Sequence, residues 1–350
     1  AACVVFMGKL NCPMQISKAK NLFKSAIISS LIALSFSANQ SYAAGGVLLS
    51  RGPGLEFAAT LSGAYAEALG DPALAARAFE RAWTRNKSDD IMFTRMVQSY
   101  LIAGDIDNAL RVSRIANASL QTPETKMVLA IDALSNGRAE EVAGLLADTN
   151  FSAPRALYSR QLQAWALAYD GKKDEAIALA SRPSGFRTID KNANYSRALL
   201  YQYFGDYDNA DTAFSTAFDA GARASVGIVA YARFLVARGE KDKALEILKT
   251  GAEGADSPQW LYEVRRQITN QTSRERLKRG NKRNINSYIS QSLGAVAIGF
   301  SQEPRAGSPL SELAFAARFD ENLYAVKLQS ARILYAAKLG DMAERTLSAS

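Results

Sequence analysis

Histidine, the side chain behind most acid/base and nucleophile-activating chemistry, is absent from all 350 residues. Its absence excludes Ser/His/Asp triads, Cys/His pairs, His-ligated metals and imidazole proton transfer. The two cysteines, Cys3 and Cys12, lie in the first dozen residues, so the sequence after them offers no thiolate nucleophile, thiolate metal site or disulfide. Carboxylates do occur in pairs, Asp89-Asp90 and Glu140-Glu141. Both pairs stand where helices are expected to begin, and acids there cap backbone amides and complement the helix dipole. No G-x-x-x-x-G-K-[ST] phosphate loop occurs, and Gly52-Pro53-Gly54 reads as a turn. The expectation is a non-catalytic chain with no cofactor and no metal.

With catalysis set aside, the elements themselves become the question. The chain is 48% hydrophobic and 22% charged, as suits a folded globular or repeat protein. From Met14 the sequence has the order of an export signal: Lys18, Lys20 and Lys24, then the apolar run from Ala26 to Ala38, then Ser41-Tyr42-Ala43 with small residues where a signal peptidase reads. That apolar run is short against the ~20 residues that span a bilayer. Residues 14–43 are therefore expected to be a cleaved signal peptide, with a mature N-terminus at Ala44. Residues 1–13 read as upstream sequence from a misplaced start. A signal left uncut would make the protein membrane-tethered instead.

Without residues 1–43, which carry four lysines and no acid, 38 basic residues face 34 acidic ones. The excess is local. Between residues 265 and 283, Arg265, Arg266, Arg274, Arg276, Lys278, Arg279, Lys282 and Arg283 stand against Glu275 alone, leaving the remainder slightly acidic. This basic patch over 257–283 reads as a helix and linker with a solvated face, or as a contact for an acidic partner or anionic headgroups. Nucleic acid is not an expected ligand, because the export signal carries the protein away from it.

A repeat dominates the middle of the chain. Gly70, Gly104, Gly137, Gly171, Gly205 and Gly239 are spaced by 34, 33, 34, 34 and 34 residues. Each stands between two helical patterns. Five residues after them come Ala75, Ala109, Val142, Ala176, Ala210 and Ala244; nine after come Phe79 and Phe214; twelve after come Ala82, Ala116 and Ala217. Offsets of five, nine and twelve share one helix face. Seven before the glycine stand Gly63, Ala130, Ala164, Ala198 and Ala232, which allow close approach of paired helices. The copies around Gly137 and Gly171 are weaker, with Val142, Leu146 and Thr149 in one and Pro183 ending a short helix in the other.

Over residues 52–256 this pattern resembles the tetratricopeptide repeat (TPR) family, whose 34-residue unit is a helix-turn-helix. The resemblance implies an all-α fold, a right-handed superhelical solenoid of six repeats, each stabilised by its neighbours. It also implies a groove, because in the family the first helix of each repeat lines the inner surface. The groove positions transfer to Thr94, Gln98, Gln161, Trp165, Tyr169, Tyr195, Gln202, Tyr203 and Arg233. Aromatic faces combined with amides suit a protein or peptide partner; the alternative is that these aromatics pack between repeats. The family's carboxylate clamp of Lys, Asn and Arg is not reproduced, so chaperone C-terminal tails are not implied.

Beyond Gly239 the rhythm stops. Ser257-Pro258 is expected to open a helix. Ile285, Tyr288, Ile289, Leu293 and Val296 form a further helical stripe, Ser308-Pro309 opens a helix through Phe319, and Gly340-Asp341 reads as another turn. Residues 284–350 are expected to be divergent repeats that stop short of a capping helix, with the chain continuing past Ser350. The function expected is that of an exported, periplasmic scaffold or adaptor in a bacterial envelope assembly. The alternative is the recognition arm of an enzyme whose catalytic domain follows residue 350.

Overall fold

The structure, a computed structural model, describes residues 53–116, 120–271, 277–303, 308–320 and 322–348. Contacts divide the chain into two compact units, residues 1–58 and 59–350. The described part of the first is the opening of helix α1, where Pro53 and Gly54 are already helical instead of forming the expected turn. The expected signal peptide, residues 1–13 and both cysteines lie outside the described residues, as do Arg274 and Arg276.

Among the described residues there are seventeen α-helices and no strand, so the protein is all-α. Six helices run into the turn glycines: α1 (Pro53–Leu69), α3 (Asp90–Ile102), α5 (Pro123–Ser135), α7 (Ala153–Tyr169), α9 (Arg187–Phe204) and α11 (Ser225–Arg238). Each is followed by a partner: α2 (Pro72–Trp83), α4 (Ile106–Arg114), α6 (Ala139–Leu146), α8 (Lys173–Ala180), α10 (Tyr207–Asp219) and α12 (Lys241–Gly251).

The glycines recur because each must be left-handed. All six have φ between 74° and 88°, where a Cβ would be strained. At each one the following N–H bonds back to the carbonyl four residues before the glycine, as in Asp71 to Ala66 at 2.8 Å and Glu240 to Leu235 at 2.8 Å. This closes the carbonyl end of the first helix. Asp71, Asp105 and Asp206 then cap the second, accepting from the N–H groups of Leu74, Asn108 and Asn209. Asp89 does the same for α3.

Small residues meet where the repeat places them. Ala75, Ala109, Val142, Ala176, Ala210 and Ala244 are all fully buried, as are Phe79 and Phe214. A Cβ on Gly63 would strike the Phe79 ring, so that glycine is the space the ring occupies. The weaker copies have short second helices of eight residues each, α6 and α8.

The remaining helices are α13 (Pro258–Asn270), α14 (Ile285–Ser301), α15 (Leu310–Phe319), α16 (Tyr324–Ala336) and α17 (Gly340–Ser348). Helix α13 continues along α12 and α11. Helix α14 does not follow it in line: it packs across α7, α9 and α11, the first helices of three successive pairs. Helix α15 likewise meets α3, α4 and α5. The expected turn at Gly340-Asp341 lies two residues earlier, because Lys338 takes the left-handed conformation (φ 65°) and Leu339 N–H bonds to the Leu334 carbonyl at 2.9 Å. Gly340 instead opens α17, which packs against α16 although only ten residues follow it.

Candidate functional site

The face that α14 covers carries the centre of the expected groove. Its helix is apolar nearly all round, with every residue from Ser292 to Phe300 buried, as a helix surrounded by protein must be. Gly299 lets its backbone lie against Asn192 and Ile189 of α9, and Gly294 approaches Val326 of α16 and Val226 of α11.

Polar groups fix its register. The Trp165 indole N–H donates to Ser292 Oγ at 2.8 Å, and the hydroxyls of Ser292 and Ser196 are bonded to each other. Ser196 Oγ donates to Gln161 Oε1 at 2.6 Å, and the Gln161 amide donates to the Ala180 carbonyl at 3.0 Å. A serine has one hydroxyl hydrogen. Since Ser196 gives its own to Gln161, Ser292 must donate to Ser196, and a single direction runs from Trp165 to the end of α8. All four side chains are buried.

Rings continue the contact. Trp165 meets Tyr203 edge-on at 5.9 Å between centroids, and Tyr288 of α14 completes a triangle at 6.3 Å from Trp165 and 5.7 Å from Tyr203. Burial raises the phenol pKa of both Tyr203 and Tyr288 above the ordinary value. The basic segment closes the end of this cluster. Gly280 N–H donates to the Tyr203 carbonyl at 2.9 Å, Arg279 lies beside Gly205, and Lys282 Nζ sits 4.1 Å from the Tyr169 centroid.

The nine residues expected in the groove therefore divide. Gln161, Trp165, Tyr169 and Tyr203 come together against α14 or the loop before it. Gln202 is half-buried on the same helix turn. Tyr195 is buried elsewhere: its ring fills the space left by Gly227, packs on Phe214 and donates its hydroxyl to the Ala222 carbonyl at 3.3 Å. Thr94 is half-buried, Gln98 is exposed at the mouth of a cavity beside α15, and Arg233 is exposed. Of the basic run, Arg265, Arg266, Lys278, Arg279, Lys282 and Arg283 are exposed, with Arg266 paired to Glu263 at 2.9 Å.

Two contributors were not singled out by spacing, Ser196 and Ser292, whereas Tyr288 belongs to the helical stripe that spacing showed. The signal for Ser292 was the serine content of an otherwise apolar α14, and Ser196 in α9 left none. Among the described residues no group of three or more His, Cys, Asp or Glu side chains could hold a metal, and no helix is long and apolar enough to cross a membrane. Compared with protein-family models and with curated proteins, the chain matches none.

Proposed function

We propose that this protein is an exported, non-catalytic scaffold of tetratricopeptide type, a right-handed solenoid whose concave wall recognises an apolar helix of a protein partner. The observation that carries this reading is the Trp165–Ser292 contact, in which residues transferred from the family's groove positions hold a helix. The occupant here is the chain's own α14. A partner helix of similar character, apolar with small residues and a central serine, would bind by taking its place. The six left-handed turn glycines support the repeat assignment, and the order of residues 14–43 supports export to the bacterial periplasm.

A labelled peptide of residues 285–301 tests the groove. It should bind the full chain weakly, because α14 competes, and at least tenfold more tightly when Gly294→Val loosens α14 by setting a Cβ within 2.9 Å of Val326. No binding to either form, or equal binding of a peptide with Ser292 and Leu293 changed to Asp, would remove the reading. Export is checked separately by the intact mass of protein from envelope extract. A species that retains residues 14–43 and sediments with membranes would replace cleavage by anchoring.

A further inference from the structure

Helix α15 covers the face of α3 and α5 less completely than α14 covers α7 and α9, and a cavity of about 250 Å³ remains. Its walls are mainly apolar, with Leu101, Met127, Phe151 and Phe315 among them. Glu312 of α15 also lines it, although its side chain is only 4% exposed. A carboxylate so buried is costly unless both oxygens are satisfied. One is: Oε1 accepts from Arg155 Nε at 2.9 Å. Oε2 is buried and, among the described residues, has no hydrogen-bond partner. The acid is also fixed in place, because the Tyr158 hydroxyl donates to the Glu312 main-chain carbonyl at 2.8 Å.

Among the described residues, charge at the cavity is unbalanced in one direction. Arg155 is shared, reaching Glu124 Oε1 at 3.6 Å as well as Glu312, so one guanidinium faces two carboxylates. An anionic ligand would meet Glu312 with Arg155, the one cation among the described lining residues, already engaged. A neutral donor would satisfy Oε2 and leave the charge. A cationic donor would do both, and the aromatic walls favour it further.

We propose that this cavity binds a small organic cation, a primary ammonium on a short apolar body, with the ammonium donating to Glu312 Oε2. The volume sits just below the usual range for small-molecule sites, roughly 300–1,000 Å³, which limits the body to about one ring or a short alkyl chain. The site is independent of the α14 groove.

Phenethylamine, 3-phenylpropan-1-ol and 3-phenylpropionate, titrated into the full chain by calorimetry, separate the possibilities. The amine should bind, at least tenfold more tightly than the alcohol, and the acid should not bind. Glu312→Gln should weaken the amine tenfold or more while the protein still melts cooperatively. Should that variant not fold, Ile102→Trp at the partly exposed mouth keeps the carboxylate and fills the space, and should abolish binding. Absence of amine binding to the wild type would mean the cavity holds only solvent. Equal binding by amine and alcohol, or by wild type and Ile102→Trp, would equally overturn the site.

Discussion

Trp165 and Ser292 are 127 positions apart in the sequence, yet the indole N–H of one donates to the hydroxyl of the other at 2.8 Å inside the protein. The contact ties a repeat helix to a helix that follows the repeats. It also makes the expected groove tryptophan part of the core. Trp165→Ala should cost ~3–5 kcal/mol of folding stability, the range for deleting a buried aromatic side chain. Ser292→Ala should cost ~1–3 kcal/mol by leaving the indole N–H and the Ser196 hydroxyl short of a partner. Urea unfolding measures both, and a Trp165→Ala loss under 1 kcal/mol would contradict the burial described.

Ala210 is fully buried where α10 meets its neighbours. Ala210→Leu should overpack that contact at ~1–3 kcal/mol. On the proposed reading, in which the pairs form a repeat array coupled between neighbours, hydrogen exchange should show the loss of protection concentrated at residues 172–238. Unchanged protection there would mean that the helix face is misassigned.

Gly227 lies inside α11, where replacing glycine by alanine usually gains ~1 kcal/mol of helix propensity. Here a Cβ would enter the body of the Tyr195 ring, which is itself buried against Phe214 and has no room to withdraw. Steric cost should exceed the propensity gain, and Gly227→Ala should be destabilised. A melting temperature raised by the substitution would refute the close packing.

Two acids should give opposite pH dependences. Lys173 donates to Asp206 at 2.7 Å, and with the Asn209 hydrogen bonds this lowers the Asp206 pKa from its ordinary 3.8. Its contribution is present above that value and is lost as pH falls below it. Burial raises the Glu312 pKa above its ordinary 4.5, against the opposing pull of Arg155. The folded state then holds the proton more tightly than the unfolded one, so stability is present below 4.5 and lost as pH rises through the raised value. Comparing urea midpoints of wild type and Glu312→Gln from about pH 4 to 8 should show the wild type losing ground as pH rises. Asp206→Ala should cost ~0.5–2 kcal/mol near neutrality as a lost helix cap, and the difference should shrink in acid.

The parts of the fold that could be read from sequence are those where local physics admits few residues. A left-handed turn nearly requires glycine, so six turns announced themselves, and a close helix crossing requires a small residue, so the alanines five positions on did too. The turn at Lys338 escaped because a lysine with positive φ leaves no such mark, and the nearby Gly340 drew the assignment two residues too far. Helix α14 was legible as an element but not its place. An apolar stripe shows that a helix will be buried, and says nothing about which surface buries it. Glu312 was hidden for a related reason: four residues after Ser308 it resembles any acid in a first turn, and only the packing of α15 against Arg155 and Tyr158 distinguishes it.

The position of α14 sets an order of events during synthesis. The face it covers is complete in sequence once Arg238 has been made, but its cover is not complete until Ser301. At about 5–20 residues per second, that interval is roughly 3–13 s. For this time a nascent chain presents Trp165, Tyr203 and the apolar sides of α7, α9 and α11 to whatever is near the ribosome. A chaperone or export factor that engages apolar segments would find its best opening in this window, and a chain interrupted between Arg238 and Ile285 would keep that surface uncovered.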